Sequence, residues 1–218
     1  MNELRIRHLG QVDFTHTWER MRQFTTTRQA DTEDELWLLQ HEAVFTLGQA
    51  GRPEHVHHVG AIPLVATDRG GQVTYHAPGQ WVAYPLIDLR RRKLHVRQLV
   101  DLLEDVLIAT LNDFAVHGER RAHAPGIYVQ GRKIASLGLR IRQGCSYHGL
   151  ALNVAMDMQP WQGIDPCGMS GLAMTSLQIE TRRQDSAVLM DEALDRLQHH
   201  FEKALCYNPP LPCADIPS

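Results

Sequence analysis

The sequence predicts an α/β protein, a mixed α+β sheet with flanking helices. Three segments place apolar residues at helical spacing, and groups of short strand-like segments lie between them. The helices do not alternate one for one with the strands, which argues against a doubly wound parallel sheet. A length of 218 residues suits one unit with a sizeable core, so we expect residues 1–218 to form a single domain.

The first half of the chain supplies one helix and several strands. Residues Asp13–Arg28 form an amphipathic helix in this prediction, with Asp13 near its start. Residues Glu35–Gly48 are expected to make two strands or one bent strand. The stretches "IPLVATDRGG" and "QWVAYPLIDL" predict further strands, which flank a glycine-containing loop.

The second half supplies two helices and a hairpin. A strong helix is predicted from about Val96 to Phe114. The stretch "GIYVQGRKIASLGLRI" predicts a hairpin that turns at Gln130–Arg132, and "YHGLALNV" predicts another strand. The apolar positions of a C-terminal helix are Met190, Leu194, Leu197, Phe201 and Leu205. The proline-rich tail from about residue 207 is expected to be irregular.

Composition and charge exclude several classes of function. The net charge of −3 gives no basic surface for nucleic acid, and no segment reaches the ~18 apolar residues of a membrane span. The charged N-terminus does not resemble a signal peptide, and four cysteines without a C-x-x-C pair favour a reducing, cytoplasmic setting. The run Arg90–Lys93 is expected to be a solvated approach to a helix, or to help dock an acidic partner protein.

The stretch "GIDPCGMSGLAMTSL" raises the main chemical question, because Cys167 lies between a proline and a glycine. A free cysteine is more often a small buried residue than a nucleophile. Here the neighbouring glycines leave room around the sulfur and free backbone N–H groups. A nucleophilic Cys167 would need a nearby cation or base, and Lys133, His76 and His148 all remain candidates.

The other polar stretches have ordinary structural interpretations when taken alone. The glycine-rich stretch Asp68–Trp81 lacks a nucleotide-binding pattern and is as readily a hairpin loop as a ligand loop. Lys133, at the start of an apolar strand, is expected to extend its amine to solvent unless it faces a dry pocket, where the neutral amine would be favoured. Cys145 and His148 are expected to pack within a strand, with the histidine buried and satisfied.

The stretch "EHVHH" is the most evident candidate for a metal site. His55 and His57 would share one face of a strand. A metal site needs three or four ligands, and the sequence offers no second cluster at ligand spacing. We therefore interpret these residues as loop histidines and expect no metal.

Four stretches together resemble a known family. They are "RGGQVTYHAPGQ", "GRKIASLGLRI", "GCSYHGLALNV" and "DPCGMSGLAMTSL", and they resemble, in the same order, the motif blocks of the lipoyl(octanoyl) transferases. With the segments between them they cover most of the chain. One departure is Ala77, where many members of the family have glycine, and it removes no catalytic atom.

The resemblance implies a fold, a reaction and two catalytic residues. The fold would be that of the catalytic domains of biotin-protein and lipoate-protein ligases. The activity would be that of an acyltransferase in lipoate biosynthesis and protein lipoylation, which moves an octanoyl group from octanoyl-acyl-carrier protein to a lysine of a lipoyl domain. Cys167 would carry the acyl-thioester intermediate, and Lys133 would promote ionisation of that cysteine. Backbone N–H groups near Ser136–Gly138 and Gly149–Ala151 are hypothetical donors to the oxyanion.

The resemblance also implies the substrate-binding residues and the partners. The residues are Arg69, Gly70, Gly71, Gln72, Val73, Thr74, Tyr75, His76, Ser136, Leu137, Gly138, Gly149, Leu150 and Ala151. No cofactor is expected, because the octanoyl group arrives on the phosphopantetheine of acyl-carrier protein. The acceptors would be the lipoyl domains of 2-oxoacid dehydrogenases and the glycine cleavage H protein, and we expect a monomer.

Two other functions remain open at this stage. An ATP-dependent lipoate-protein ligase on the same scaffold would use Lys133 but would not need a nucleophilic Cys167. A non-enzymatic module that binds a metal or a carrier through its histidines is the third reading. Acyl transfer without ATP separates the first two, and metal analysis addresses the third.

Overall fold

The computed structural model describes residues 4–206, with the backbone alone for Cys206. The strands are β1 (Leu4–Val12), β2 (Asp34–His41), β3 (Val44–Leu47), β4 (Leu64–Ala66), β5 (Val73–His76), β6 (Gln80–Leu86), β7 (Glu119–Arg120), β8 (Gly126–Val129), β9 (Arg132–Arg142) and β10 (Cys145–Asn153). The helices are α1 (Phe14–Thr27), α2 (Val96–Asn112), α3 (Leu177–Thr181) and α4 (Ser186–Cys206). The tail expected to be irregular from about residue 207 lies outside the described residues.

Two sheets organise the chain. The larger sheet has the order β1-β2-β6-β10-β9-β8-β7 and is antiparallel except for the pair β1 and β2. The smaller sheet has the order β4-β3-β5, with β4 parallel and β5 antiparallel to β3. Mixed strand directions and helices outside the sheets confirm the predicted fold class.

The larger sheet lies between two helical layers, because successive side chains of a strand point to opposite faces. Leu36 and Leu38 of β2 pack with α2 and α4 in one apolar cluster. Trp37 and Leu39 point to the other face and pack with Met21 of α1. Both faces are covered, and every residue of the central strands β6 and β10 is buried.

The long helices α1 and α2 form because each has a side chain that caps its first turn and an apolar face that is buried. Asp13 accepts a hydrogen bond from the backbone N–H of His16 at 2.7 Å and begins α1. Gln98 accepts the backbone N–H of His95 at 2.8 Å and begins α2. Both helices end within two residues of the predicted positions. In the part of the chain described, no helix is long and apolar enough to cross a membrane.

The prediction of a glycine-containing loop between two strands is wrong in one respect, because the strand β5 lies within that segment. Residues Val73–His76 pair antiparallel with Val44–Leu47. The strand is only four residues long, with glycines close on both sides, so periodicity gave no sign of it. This strand follows Gly70 and Gly71, and its residues Val73, Thr74 and His76 border the cavity described below.

The interpretation of Arg90–Lys93 as a solvated segment that leads into a helix is wrong for Arg91 and Arg92. Arg91 and Arg92 donate to the carboxylate of Asp34, each at 2.5 Å, and Arg28 donates to the same group at 2.6 Å. Asp34 is fully buried, and burial alone would raise its pKa. The backbone N–H of Asp88 and these guanidinium groups outweigh burial and hold the pKa below its usual value.

We expect the Asp34→Ala variant to lose about 3–5 kcal/mol of unfolding free energy, because it leaves several arginines without their buried partner. Urea unfolding followed by circular dichroism measures the loss. Asp101→Ala is the control, because Asp101 pairs with Arg97 at the surface of α2. Its loss should stay within about 0.5 kcal/mol. Equal losses in the two variants would contradict a buried charge cluster at Asp34.

Candidate active site

Cys167 lies in a short 3-10 turn, Pro166–Gly168, in an unusual backbone conformation. Its φ of 59° and ψ of 18° fall in the left-handed region, and Gly168 follows with a φ of 70°. A residue with a Cβ atom pays roughly 1–2 kcal/mol for this conformation. Such strain persists only where the surrounding structure imposes it, and it concentrates at functional sites. The turn presents the partly exposed Sγ to a cavity.

Two neighbouring segments hold the cysteine turn in place. On one side, the backbone N–H of Asp165 donates to the carbonyl of His55 at 2.8 Å. On the other side, the backbone of Lys133 accepts from Thr175 and donates to Ala173, both at 2.9 Å. The strand that carries Lys133 is therefore bonded directly to the segment that follows Cys167.

Lys133 and Cys167, which lie 34 positions apart in the sequence, meet in space. The Lys133 Nζ atom is 2.9 Å from the Cys167 Sγ and donates to the carbonyl of Pro125 at 2.8 Å. Lys133 is 1% exposed, so the expectation that its amine reaches solvent is wrong. Among the described residues, no carboxylate forms an ion pair with Lys133, so the sulfur and the Pro125 carbonyl are the polar groups that its amine contacts.

Gly126 makes room for this lysine. A Cβ atom at position 126 would lie 2.5 Å from the Lys133 Cε atom, and its φ of 129° also disfavours other residues. Sequence analysis did not single out Gly126 or Pro125. The glycine at the start of "GIYV" was the available signal, because glycine inside a strand often marks a close approach.

The cavity beside Cys167 has a volume of about 490 Å³, within the usual range for small-molecule sites. It is lined by most of the residues that the family resemblance implied for substrate binding: Arg69, Gly70, Gly71, Gln72, Val73, Thr74, His76, Ser136, Leu137, Gly138, Gly149, Leu150 and Ala151. Tyr75 is the exception, since its ring packs away from the cavity against Phe45 and Trp161.

Arg69 fixes the glycine-rich wall of the cavity. Its guanidinium group donates to the carbonyls of Thr46, Gly70 and Gln72 at 2.6–2.9 Å. Burial lowers the pKa of Arg69 to about 10, so the side chain remains a cation at neutral pH. Its hydrogen-bond partners among the described residues are neutral hydroxyl and carbonyl oxygens, so Arg69 leaves a positive field in the cavity near Cys167.

The backbone of Leu150 and Ala151 is committed to the sheet. These residues pair with Ala83 and Val82 on β6 and with Leu137 and Ser136 on β9. Their N–H groups therefore serve the ladders, and the hypothesis that they hold an oxyanion is wrong. On β9, pairing with β8 ends at Ser136, and further along the backbone N–H of Gly70 donates to the carbonyl of Leu139 at 2.9 Å, which leaves Leu137 and Gly138 without a strand partner on that side in the described structure.

A polar wall, made of Asp68 and the side chains that donate to it, meets the cavity at His148. Asp68 accepts from Trp18 Nε1 at 2.7 Å, Tyr147 OH at 2.5 Å and His148 Nε2 at 3.0 Å. Burial alone would raise the pKa of Asp68, but these hydrogen bonds hold it well below its usual range. Sequence analysis missed Asp68, although it is the first residue of the glycine-rich stretch.

Three histidines stand in or behind this wall, and burial lowers the pKa of each. The pKa of His41 falls to about 4, and the pKa values of His76 and His148 are also lowered. Because the Asp68 carboxylate can only accept, Nε2 of a neutral His148 carries the proton and Nδ1 is a buried acceptor without a partner in the described structure. His148 is therefore buried as expected, but it is not fully satisfied.

The structure gives no support to a metal site at "EHVHH". Pro53–His55 is a 3-10 turn and not a strand. His55 contacts Gln72 Oε1 at 3.1 Å, and His57 contacts Asp165 at 3.1 Å. Within residues 4–206, no three histidine, cysteine or acidic side chains group as metal ligands would. Cys145 is buried at the far end of β10, and burial raises the pKa of its thiol.

Comparisons with known proteins agree with this geometry. The chain matches the family described as lipoyl protein ligase A/B catalytic domain over residues 13–202. It is 52% identical over 204 residues to the octanoyltransferase of Shewanella frigidimarina (strain NCIMB 400), covering 94% of this chain and 93% of that protein. It is 51% identical over 208 residues to the octanoyltransferase of Haemophilus influenzae (strain PittEE), covering 95% and 97%.

Solved structures resemble the fold at low sequence identity. The bi-partite lipoate protein ligase from Thermoplasma acidophilum has a TM-score of 0.73 and 13% identity, covering 94% of this chain and 85% of that one. The biotin protein ligase from Aquifex aeolicus in complex with biotin and ATP has a TM-score of 0.53 and 14% identity, covering 91% and 71%. At this identity the likeness concerns the fold alone.

We expect the free energy of unfolding to fall as the pH is lowered from about 7 to about 4. The unfolded histidines take up protons near pH 6.5, whereas His41, His76 and His148 resist protonation in the folded protein. Urea unfolding at a series of pH values measures the slope. His76→Gln, which removes one of these groups, should make the slope shallower. An unchanged slope in that variant would contradict a neutral buried His76.

Proposed function

This chain belongs to the lipoyl protein ligase A/B catalytic domain family and is an octanoyltransferase of lipoate biosynthesis, and we propose that it works through a thioester on Cys167. The observation that carries the proposal is the contact of 2.9 Å between Lys133 Nζ and Cys167 Sγ. A cation at that distance stabilises a thiolate, and the thiolate is the nucleophilic form of cysteine. An acyl-binding cavity adjoins the sulfur.

In the first half of the reaction, octanoyl-acyl-carrier protein is the donor. The Cys167 thiolate attacks the carbonyl carbon of its thioester, and the bond between that carbon and the pantetheine sulfur breaks. The departing thiolate takes a proton from the Lys133 ammonium group, which leaves octanoyl-Cys167, a neutral Lys133 and a free pantetheine thiol. Lys133 Nζ and the open side of β9 after Ser136 are the donors we assign to the oxyanion.

In the second half, a lysine amine of a lipoyl domain attacks the octanoyl-Cys167 carbonyl. The amide bond forms, the Cys167 thiolate leaves, and neutral Lys133 accepts the proton that the amine nitrogen loses. The ion pair of Lys133 and Cys167 is thereby restored. Replacing a thioester by an amide is favourable, so this route needs neither ATP nor a cofactor. That the T. acidophilum relative is a lipoate protein ligase described with its E2 lipoyl domain supports a lipoyl domain as the acceptor.

The cavity suits an octanoyl chain because its walls combine apolar side chains with a closely packed sheet. Val82, Leu137 and Leu150 contribute apolar surface. Gly149 also lines it, and a Cβ atom there would lie 2.1 Å from the carbonyl oxygen of Ala83. Each buried methylene contributes about 0.8 kcal/mol, so the chain is held mainly by this apolar lining.

We expect intact mass spectrometry to detect one octanoyl group on the wild-type protein after incubation with octanoyl-acyl-carrier protein in the absence of ATP. The Cys167→Ser variant should acquire none. Cys145→Ser is the matched control, because Cys145 lies buried at the far end of β10, and it should be acylated as readily as the wild type. Acylation that persists in Cys167→Ser, or an absolute requirement for ATP, would refute the proposed route.

We expect Lys133→Ala to acylate Cys167 about 10²–10⁴-fold more slowly at neutral pH, because the variant lacks both the cation at the sulfur and the proton donor. Part of the rate should return at alkaline pH, where the solvent can ionise the thiol. Rapid-quench mass spectrometry measures the rate. A pH-independent defect would instead assign Lys133 a packing role, and circular dichroism checks that the variant is folded.

A further inference from the structure

A second cavity of about 430 Å³ opens beside the cysteine turn. It is a surface groove, lined by Arg121, Gln130, Gly131, Arg132 and the segment Met169–Ala173. Met169 also lines the acyl cavity. The groove therefore leads from the protein surface to the segment that directly follows Cys167. The thioester chemistry proposed above does not use it.

Arg121 is the unpaired charge in this groove. The residue is exposed, and its Nη2 donates to the carbonyl of Gly131 at 3.1 Å. In the described part of the chain, no carboxylate forms an ion pair with Arg121, whereas Arg132 pairs with Glu180 at 3.1 Å. A guanidinium group has five N–H donors, so most of those of Arg121 remain available to an anion.

The position of Arg121 is fixed by a ring that it shares with the catalytic lysine. The Arg121 Cζ atom lies 4.4 Å from the centre of the Tyr128 ring, and the Lys133 Nζ atom lies 5.3 Å from the same centre. The two cations are therefore no more than about 10 Å apart. An anion held by Arg121 would be near enough to Cys167 to belong to the same small molecule as the reacting thioester.

The walls of the groove are low. Gly131, Ser170, Gly171 and Ala173 present little side chain, and a Cβ atom at Gly171 would meet nothing within 4 Å. Such a groove suits a slender, flexible chain. A pantetheine arm is a chain of this kind, with the thioester at one end and a phosphate at the other. The acceptor lysine carries no phosphate, so the charge of Arg121 favours the donor over the acceptor.

We infer that this groove holds the pantetheine arm of the thioester donor, and that Arg121 binds its phosphate. The inference rests on the proposed function, because it needs a phosphopantetheine thioester as the octanoyl donor. Binding orients the arm so that its thioester carbonyl enters the acyl cavity at Cys167. Arg121 thereby contributes to donor affinity and takes no part in bond making or breaking.

The test compares two small donors, octanoyl-pantetheine and octanoyl-phosphopantetheine, which differ only in the phosphate. The rate constant kcat/KM for acylation of Cys167 is measured for each by mass spectrometry, at low ionic strength because salt screens exposed charges. We expect the wild type to use the phosphorylated donor about tenfold better. In Arg121→Ala the two donors should react at nearly equal rates, and in Arg121→Lys part of the preference should return.

Arg142→Ala is the matched control. It removes the same charge from an exposed residue at the opposite end of the strand that Arg132 begins, roughly 30 Å away at 3.3 Å per residue. This variant should keep the wild-type preference. Because only the ratio of two donors is compared within each variant, a small change in stability or in thiol reactivity does not alter the result.

Each alternative result overturns the inference in a distinguishable way. If neither donor nor octanoyl-acyl-carrier protein acylates the wild type, the proposed function fails and the inference falls with it. If acylation occurs but the wild type shows no preference for the phosphate, or Arg121→Ala keeps it, only the inference fails. If Arg121→Ala keeps the donor ratio but slows octanoyl transfer from the loaded enzyme to a lipoyl domain, the groove belongs to the acceptor.

Discussion

The contact between Lys133 and Cys167 is the constraint on which the rest of the site depends. Lys133 is buried without a carboxylate partner among the described residues, and its Nζ atom instead contacts the Cys167 Sγ at 2.9 Å and the carbonyl of Pro125 at 2.8 Å. The contact requires a left-handed cysteine on one side and a glycine at position 126 on the other. It also requires that the segment after Cys167 pair with the backbone of Lys133, which ties the cysteine turn to strand β9.

The sheet supplies the rigidity that such a contact needs. Strands β9 and β10 are paired over eight successive residues, and β10 is paired with β6 on its other side. Helices cover both faces, so these strands cannot shift without opening a buried core. The cavity beside Cys167 lies against the part of β9 that β8 no longer covers, where glycines leave space for a ligand. The same strand thus carries Lys133 near its start and continues as the cavity wall.

Charge is distributed around the cavity in two different ways. Asp68 accepts hydrogen bonds from Trp18, Tyr147 and His148, and burial lowers the pKa of His148 and of the neighbouring histidines His41 and His76. That arrangement agrees with the acyl chain proposed for the cavity, which gains nothing from a charged surface. Near Cys167 the arrangement differs, since the basic side chains of Lys133 and Arg69 have no carboxylate partners in the described structure. The mechanism proposed above places its thiolate and its oxyanion beside these two side chains.

The sequence by itself determined the fold class, the two long N-terminal and central helices and the hairpin of β8 and β9, because these depend on local periodicity and turn residues. The order of four motif stretches also indicated the family, and the role of Cys167 as nucleophile stays a prediction. Only the tertiary structure decided whether Lys133 or a histidine stands beside Cys167, since position alone favoured a solvent-exposed lysine. It also decided that Arg91 and Arg92 pair with the buried carboxylate of Asp34 and that Tyr75 faces away from the cavity. These facts depend on contacts between residues far apart in the chain, and no local pattern encodes them.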